Sequence, residues 1–322
     1  MSLHTAPRLL PQTIVVLGAT GFVGGALVPR LTADGHRLSL LSRNRERHRT
    51  LAVLPGVRIC STDVYDDDAL RRALTGADVV INLIGILNPQ GRHTFQRAHV
   101  EMARRVIAAC RDAGVTRLHQ MSALKAGQGL SQYLKSRGEA EALVKSAPLD
   151  WTIYQPSVMF GADDGLVSRF ASLLRRLPVL PLARPHARLA PTYVGDVAEA
   201  IARCINDPAL SRRRTFELYG PEVLTLSEIV RRIRDAAGLR RTVLALPDSV
   251  GRLQAQFAGM LPGQPFSLDN FRTLRTDSVG KVDGYAALGI VPQPFTPWLP
   301  VLLHAPARQR RLDGARSGRA PR

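Results

Sequence analysis

Residues 13–24 read TIVVLGATGFVG, an apolar run entering a turn with glycines at 18, 21 and 24. Ile14, Val15, Val16 and Leu17 are wholly apolar and mostly β-branched, the pattern of a strand buried on both faces in a parallel sheet. Gly18 permits a tight turn at the end of that strand. Gly21 lets the backbone approach a pyrophosphate with no Cβ in the way, and Gly24 lets the next helix lie close on the sheet. The unpaired N–H groups of the first helical turn then face the phosphates, and Thr20, Phe22 and Val23 share that turn. Glycine triplets are common, but this one has a strand before it and an amphipathic segment, 22–34, after it. The stretch reads as a dinucleotide cradle.

Outward from it, strand-like and helix-like segments alternate through the first half of the chain. Strands are expected near 13–17, 38–41, 57–60, 78–84, 117–121 and 151–154, and helices near 22–34, 66–75, 94–113 and 131–146. This alternation predicts an α/β fold, a Rossmann-type doubly wound parallel sheet with helices on both faces. Asp112-Ala113-Gly114 supplies a glycine C-cap to the third helix. From Pro156 onward prolines and glycines become frequent, as in LPVLPLARP (177–185) and LPGQP (261–265), and the alternation breaks. The expected organisation is a cofactor-binding core over 1–155, a smaller C-terminal α+β region over 156–307 covering the cofactor site, and a basic tail over 308–322. Parts of the second region, about 192–220, are expected to return to the core: TYVGDVAEAIARCI as a turn and helix, and RTFELYG as a late strand.

Bulk properties narrow the setting. A chain of 322 residues has ample core, and 45% hydrophobic with 22% charged residues is ordinary for a globular protein. The first twelve residues do not read as a signal peptide, and no window approaches a membrane span. A cytoplasmic protein is expected, peripheral at the inner face of the membrane if it meets one. Cys60, Cys110 and Cys204 are scattered and odd in number, so they read as buried apolar positions in a reducing compartment; no metal site is expected. The net charge is +18, and only four of the 44 basic residues are lysines. Part of that excess is the tail, RQRRLDGARSGRAPR, with six arginines against one aspartate. It reads either as a solvated terminus or as an attachment to anionic lipid or an acidic partner. No recognition motif or interleaved aromatic accompanies the charge, so nucleic acid is not expected.

Further residues carry chemistry. The second strand ends in Leu40-Leu41-Ser42-Arg43, where an acidic residue would hold the ribose hydroxyls of NAD. Ser42 and Arg43 instead suit the 2′-phosphate of NADP, with Arg45 and Arg47 following; the plain alternative is a basic loop. Asp63 and Val64 are placed for the adenine edge, or Asp63 is a loop or capping residue before Asp66. Leu83 and Gly85 close the fourth strand, where a small residue lets the cofactor's ribose and phosphate pass. Met121 and Ser122 end the fifth strand, and Tyr133 opens the helix SQYLKSRGEAEALV. Ser122 and Tyr133 are spaced as a hydroxyl pair over a nicotinamide. The position four residues after the tyrosine, where a lysine would hold the ribose and favour the tyrosinate, is Arg137. Lys135 points elsewhere on the helix, and an arginine's planar fork does not reproduce a lysine's point contact.

GATGFVG, the arginine-ending second strand, INLIG, MSAL, the Tyr-x-x-x-Arg helix and YQPSVMFG together resemble the atypical, extended short-chain dehydrogenase/reductase superfamily, the epimerase/dehydratase-like proteins. More closely, the chain is similar to the group around the thirty-nine-kilodalton nucleotide-binding accessory subunit of respiratory complex I and its bacterial relatives. The likeness runs from about residue 13 to 300 and includes RLAPTYVGDVAEAI and FELYGPEVLTLSEIV. It implies bound NADPH, NADP(H) preferred over NAD(H), and a C-terminal part covering the nicotinamide end. It carries Gly18, Gly21, Gly24, Arg43, Asp63, Gly85, Ser122, Tyr133 and Arg137 onto the nucleotide site, with Gln155, Pro156 and Ser157 bordering the nicotinamide. Two readings follow. One is an NAD(P)H-binding protein with a structural or redox-sensing role beside respiratory or quinone-pathway proteins, for which Phe257, Met260, Leu261, Phe266, Trp298 and the tail would supply membrane contact. The other is an active reductase, epimerase or dehydratase using Tyr133, Ser122 and Arg137.

Overall fold

A computed structural model describes residues 10–43, 51–162, 165–260 and 266–304; Arg45, Arg47, Leu261, the Met260 side chain and the tail lie outside the described residues. The first half of the chain runs β1 (Thr13–Leu17), α1 (Phe22–Ala33), β2 (Arg37–Ser42), β3 (Val57–Ser61), α2 (Asp67–Leu74), β4 (Val79–Asn82), α3 (Met102–Asp112), β5 (Arg117–Met121), α4 (Gln132–Ser146) and β6 (Asp150–Pro156). The second half is made of shorter pieces: β7 (Met159–Phe160), α5 (Gly165–Arg176), β8 (Val179–Leu182), β9 (Arg188–Leu189), β10 (Thr192–Tyr193) and α6 (Val194–Asn206). It continues through α7 (Pro208–Ser211), β11 (Arg214–Leu218), β12 (Leu224–Thr225), α8 (Leu226–Ala236), β13 (Thr242–Ala245), α9 (Asp248–Met260) and α10 (Leu268–Thr273).

Strands β1 to β6 and β11 form one seven-stranded sheet in the order β3-β2-β1-β4-β5-β6-β11. Every neighbouring pair is parallel. Both faces of the central strands are covered: β4 is buried at all four positions and β1 at four of five. On one face Leu27 and Leu31 of α1 meet Val197 and Ile201 of α6. On the other, Leu70 and Leu74 of α2 pack with Met102 and Val106 of α3 and Val144 of α4. The sheet is thus doubly wound, and the late pieces α6 and β11 complete it. Arg30 of α1 pairs with Glu199 of α6 at 2.5 Å, which fixes the returning helix beside the first.

The remaining segments gather a separate apolar cluster from α5, α8, β8, Phe160 and Phe295. The proline-rich 177–185 stretch contains β8, which pairs with β13 in a small parallel ladder. Three local expectations are corrected. The 94–113 helix opens as a π-helical turn, Gln96–Glu101, before α3 begins. That widened turn carries the buried His99, whose two ring nitrogens both find partners. The fourth strand stops at Asn82 rather than residue 84, because the Asn82 side chain accepts the Ile84 N–H and bends the chain out of the sheet. Cys60 is only partly buried, since β3 is an edge strand; Cys110 and Cys204 are buried, and all three thiols are free. Among the described residues no helix is long and apolar enough to cross a membrane, and no cluster of side chains has metal-ligating composition.

Candidate active site at the carboxyl ends of the strands

Because all seven strands run the same way, their carboxyl ends share one edge of the sheet. The chain order reverses between β1 and β4, and an open α/β sheet binds its ligand at such a point. Every site residue expected from the sequence lies at this edge or on α1 and α4 beside it. Gly18 follows β1 with φ +76°, and a Cβ there would stand 3.0 Å from the Ile84 nitrogen. At Gly21 a Cβ would meet only the Gly18 carbonyl, at 3.3 Å. At Gly24 it would run into the Ala19 backbone beneath α1. Gly21 is the N-cap of α1 and no side chain caps that helix. Thr20 and Phe22 are half-buried beside this turn and Val23 is buried. Among the described residues the start of α1 therefore offers backbone donors that no side chain caps, which fits a pyrophosphate.

At the adenosine end, Ser42 is buried and Arg43 exposed at the close of β2. Asp63 accepts the Tyr65 N–H at 3.0 Å, and Asp66 caps α2 through the Ala69 N–H at 2.9 Å. Asp63 is therefore a turn residue, and Val64 beside it is buried. The sequence reading missed two neighbours. The Arg97 guanidinium lies over the Tyr65 ring, 4.2 Å from its centroid. Burial raises the Tyr65 phenol above its ordinary value, while Arg97 and Arg43 both act to lower it. Two guanidiniums thus lie over this ring, those of Arg97 and, at 5.9 Å, Arg105, both from the helical segment distant in sequence.

The other end of the crevice is an interlocked set of side chains. Helix α4 places Tyr133, Arg137 and Glu141 one turn apart on the same face. Ser131 caps it, and the Asp269 carboxylate accepts the Gln132 and Tyr133 N–H groups at 2.7 and 3.0 Å. Tyr133 is half-buried with Phe95 and His99 edge-on to its ring. Arg137 is buried, donates through Nη1 to the Met121 carbonyl at 2.9 Å, and fills the space that a Cβ on Gly85 would need. Its Nε has no hydrogen-bond partner among the described residues. Lys135 is exposed. Leu83 donates its N–H to the Leu17 carbonyl at 2.9 Å, which holds the Leu83–Gly85 segment against β1.

Glu141 organises the rest. Its carboxylate is buried and accepts from Ser122 Oγ at 2.6 Å, Gln155 Nε2 at 2.7 Å and Lys145 Nζ at 3.0 Å. A serine hydroxyl has one proton, so in this arrangement Ser122 cannot also donate to a substrate oxygen. Pro156 is the last residue of β6, and its carbonyl accepts the Leu124 N–H at 2.9 Å; Ser157 donates to the Ser278 carbonyl at 2.8 Å. His99 accepts the Ile86 N–H through Nε2 at 3.3 Å, and its Nδ1 lies 2.8 Å from Ser136 Oγ. Since Ser136 donates to the Tyr133 carbonyl at 2.9 Å, Nδ1 carries the histidine's proton. Burial, with the Arg137 charge second, holds His99 down to about 2, so it is neutral. Glu141 was within reach of the sequence, four residues past Arg137; His99 had no local signal.

This arrangement, a side-chain-free glycine turn at the strand switch point, agrees with the comparison to known sequences. The model of the NAD(P)H-binding family matches residues 18–208. The chain belongs to that family. This NAD(P)H-binding protein is 30% identical to the mitochondrial NADH dehydrogenase [ubiquinone] 1 alpha subcomplex subunit 9 of Arabidopsis thaliana over 280 residues, 82% of this chain and 70% of the other. It is also 30% identical to the ceramide reductase of Caulobacter vibrioides over 236 residues, 73% and 74% of the two chains. Among solved structures, the NADPH-dependent quinone oxidoreductase of Escherichia coli shares the fold with a TM-score of 0.72 at 20% identity, covering 90% of this chain and 99% of that one.

Proposed function

We propose that this NAD(P)H-binding protein holds NADP(H) in preference to NAD(H) and serves a structural or redox-sensing role beside respiratory or quinone-pathway proteins. The observation that carries this reading is the hydrogen bond from Ser122 to the buried Glu141, at 2.6 Å. With the Ser122 proton so placed and Arg137 locked onto the Met121 carbonyl, the nicotinamide end is built to hold rather than to turn over. Gly18, Gly21 and Gly24, with Thr20, Phe22 and Val23, would take the pyrophosphate. Ser42 and Arg43, with Arg97 as a second cation, would take the 2′-phosphate. Asp63 and Val64 would meet the adenine, Leu83, Gly85 and Met121 the ribose, and Gln155, Pro156 and Ser157 the nicotinamide. The bound cofactor would supply a hydride-exchanging ring. The relatives named for complex I support the respiratory setting, and the division into a 1–155 core and a 156–307 cover accords with it. The basic tail adds peripheral contact with an anionic membrane at the cytoplasmic face.

The second reading, an active reductase, epimerase or dehydratase, draws on the half-buried Tyr133 between Phe95 and His99, where a phenol could exchange a proton with substrate. One titration separates the parts. Gently purified protein is expected to bind NADPH at least about tenfold more tightly than NADH. Equal or tighter NADH binding overturns the cofactor preference. Turnover of quinones or aldehydes at ordinary enzymatic rates, roughly 1 per second or faster, abolished in Tyr133→Phe with NADPH binding intact, overturns the non-catalytic reading.

A further inference from the structure

Helix α9 presents its large apolar side chains to the outside. Its buried side consists of Gly251 and Ala255, which lie against Ala183 and Phe271; a Cβ on Gly251 would stand 3.0 Å from the Ala183 side chain. Val250, Leu253 and Phe257 recur at helical spacing and are 47%, 51% and 65% exposed. At about 100° per residue the two sets are centred on nearly opposite sides of the helix. A surface helix of a globular domain shows the reverse arrangement.

The exposed apolar surface continues on both sides. Gln254 Nε2 donates to the Pro181 carbonyl at 3.0 Å, tying α9 to β8, whose ladder with β13 carries the exposed Val179 and Leu244. On the other side, Ser267 at the start of α10 donates to Asn88 at 3.2 Å, and Asp269 holds the first turn of α4. These bonds set the exposed Leu87, next to Asn88, and Leu130, just before α4, beside α10. The charged neighbours are basic: Arg252, Arg272 and Arg275 are exposed. The two aspartates are engaged, Asp248 with Arg184 at 2.6 Å and Asp269 with the α4 backbone. An outward apolar ridge flanked by arginines, on a chain of net charge +18, is complementary to an anionic lipid interface. A fluid surface accepts such a convex ridge without the shaped groove a protein partner would have to provide.

We propose that α9 seats this protein on an anionic bilayer, with Leu253 and Phe257 entering the boundary between headgroups and acyl chains. The proposal rests on the peripheral membrane contact put forward above and narrows it, from the tail and the apolar residues of 257–298, to one folded surface; it is independent of the cofactor preference.

Vesicle flotation tests it, using phosphatidylcholine alone and phosphatidylcholine with phosphatidylglycerol. The full chain should float with the anionic vesicles only. L253S/F257S should weaken that binding roughly tenfold or more, while its NADPH titration and thermal unfolding match the wild type. A chain ending at residue 307 should keep most of its binding. Undiminished flotation of L253S/F257S overturns the proposal. Loss confined to the shortened chain also overturns it and leaves the peripheral contact to the tail. A full chain that binds neither vesicle overturns both. A wild-type dimer that L253S/F257S converts to monomers gives the face to a second copy and overturns lipid docking.

Discussion

The two ends of the crevice are built from different materials. At the glycine turn the exposed surface is backbone, and among the described residues no side chain caps the first turn of α1, where the proposed phosphate site lies. At the Tyr133 end most polar side chains are already engaged: Ser122, Gln155 and Lys145 with Glu141, His99 with Ser136 and Ile86, and Arg137 through Nη1 with Met121. On the proposed reading the first end would receive a ligand as it stands. The second must break bonds among buried groups before a substrate can use Ser122. Binding and turnover are therefore separable properties here, and each end can be perturbed without the other.

The largest effect is expected at Gly24. A side chain there collides with the Ala19 backbone, which has no flexible end to swing away. Gly24→Ala should cost about 3 kcal/mol in denaturant unfolding and abolish cofactor binding. Gly21→Ala is the contrast, since its Cβ would meet only the Gly18 carbonyl at 3.3 Å. It should unfold nearly as the wild type does and lose NADPH binding in calorimetric titration. If Gly21→Ala instead destabilises as much as Gly24→Ala, the turn is structural and the division between the two glycines fails. Next in size is Glu141→Gln, at about 2 kcal/mol, because charged hydrogen bonds to three donors are weakened in a buried place. NADPH affinity should stay within about twofold of the wild type; a larger loss would join the two ends energetically.

How much of this could be read from the chain follows the same division. The strand–glycine–helix signal is local, so TIVVLGATGFVG located the fold and the uncapped helix start on which the proposed phosphate site rests. The alternation placed six parallel strands, and RTFELYG was readable as the seventh because its apolar residues fall on a strand period. Ser122, Tyr133 and Arg137 were legible by spacing, but not their state. That Ser122 donates to Glu141 depends on β5 lying beside α4, which no local pattern encodes. Arg97 and His99 were invisible for a similar reason. They project from a π-helical turn that interrupts a segment reading as ordinary helix, and their partners lie tens of residues away in sequence.

Acid should sharpen the contrast further. Burial holds His99 down to about 2 and His119, which pairs with the Tyr154 hydroxyl at 2.8 Å, down to about 3, against an ordinary value of 6.5. Both are neutral in the fold, whereas the unfolded chain protonates them below 6.5. Their contribution is fully present above that pH and is lost as the pH falls towards the folded values. Each should add up to about 1.4 kcal/mol of lost stability per pH unit in that window. Unfolding followed from neutral pH to about pH 4.5 should show this slope, and His119→Asn or His99→Gln should each remove one share of it. An unchanged slope in both variants would mean that these histidines titrate normally in the fold.

The smallest effect decides what Gly85 is for. Its missing side chain has two explanations: room for a cofactor's ribose, or room for the Arg137 guanidinium that now fills it. Gly85→Ala should cost roughly 1–2 kcal/mol by crowding that group, and Arg137→Lys about 1 kcal/mol through the lost bond to the Met121 carbonyl. A lysine has no planar fork at the place where the new Cβ sits. If the glycine serves the arginine, the double variant should be more stable than the sum of the two losses by about 1 kcal/mol. Additive losses, with NADPH affinity falling in Gly85→Ala alone and in the double variant equally, would instead assign the space to the cofactor. That result would place Arg137 as a neighbour of the site rather than its occupant, and the nicotinamide end would then be open in the way the glycine end is.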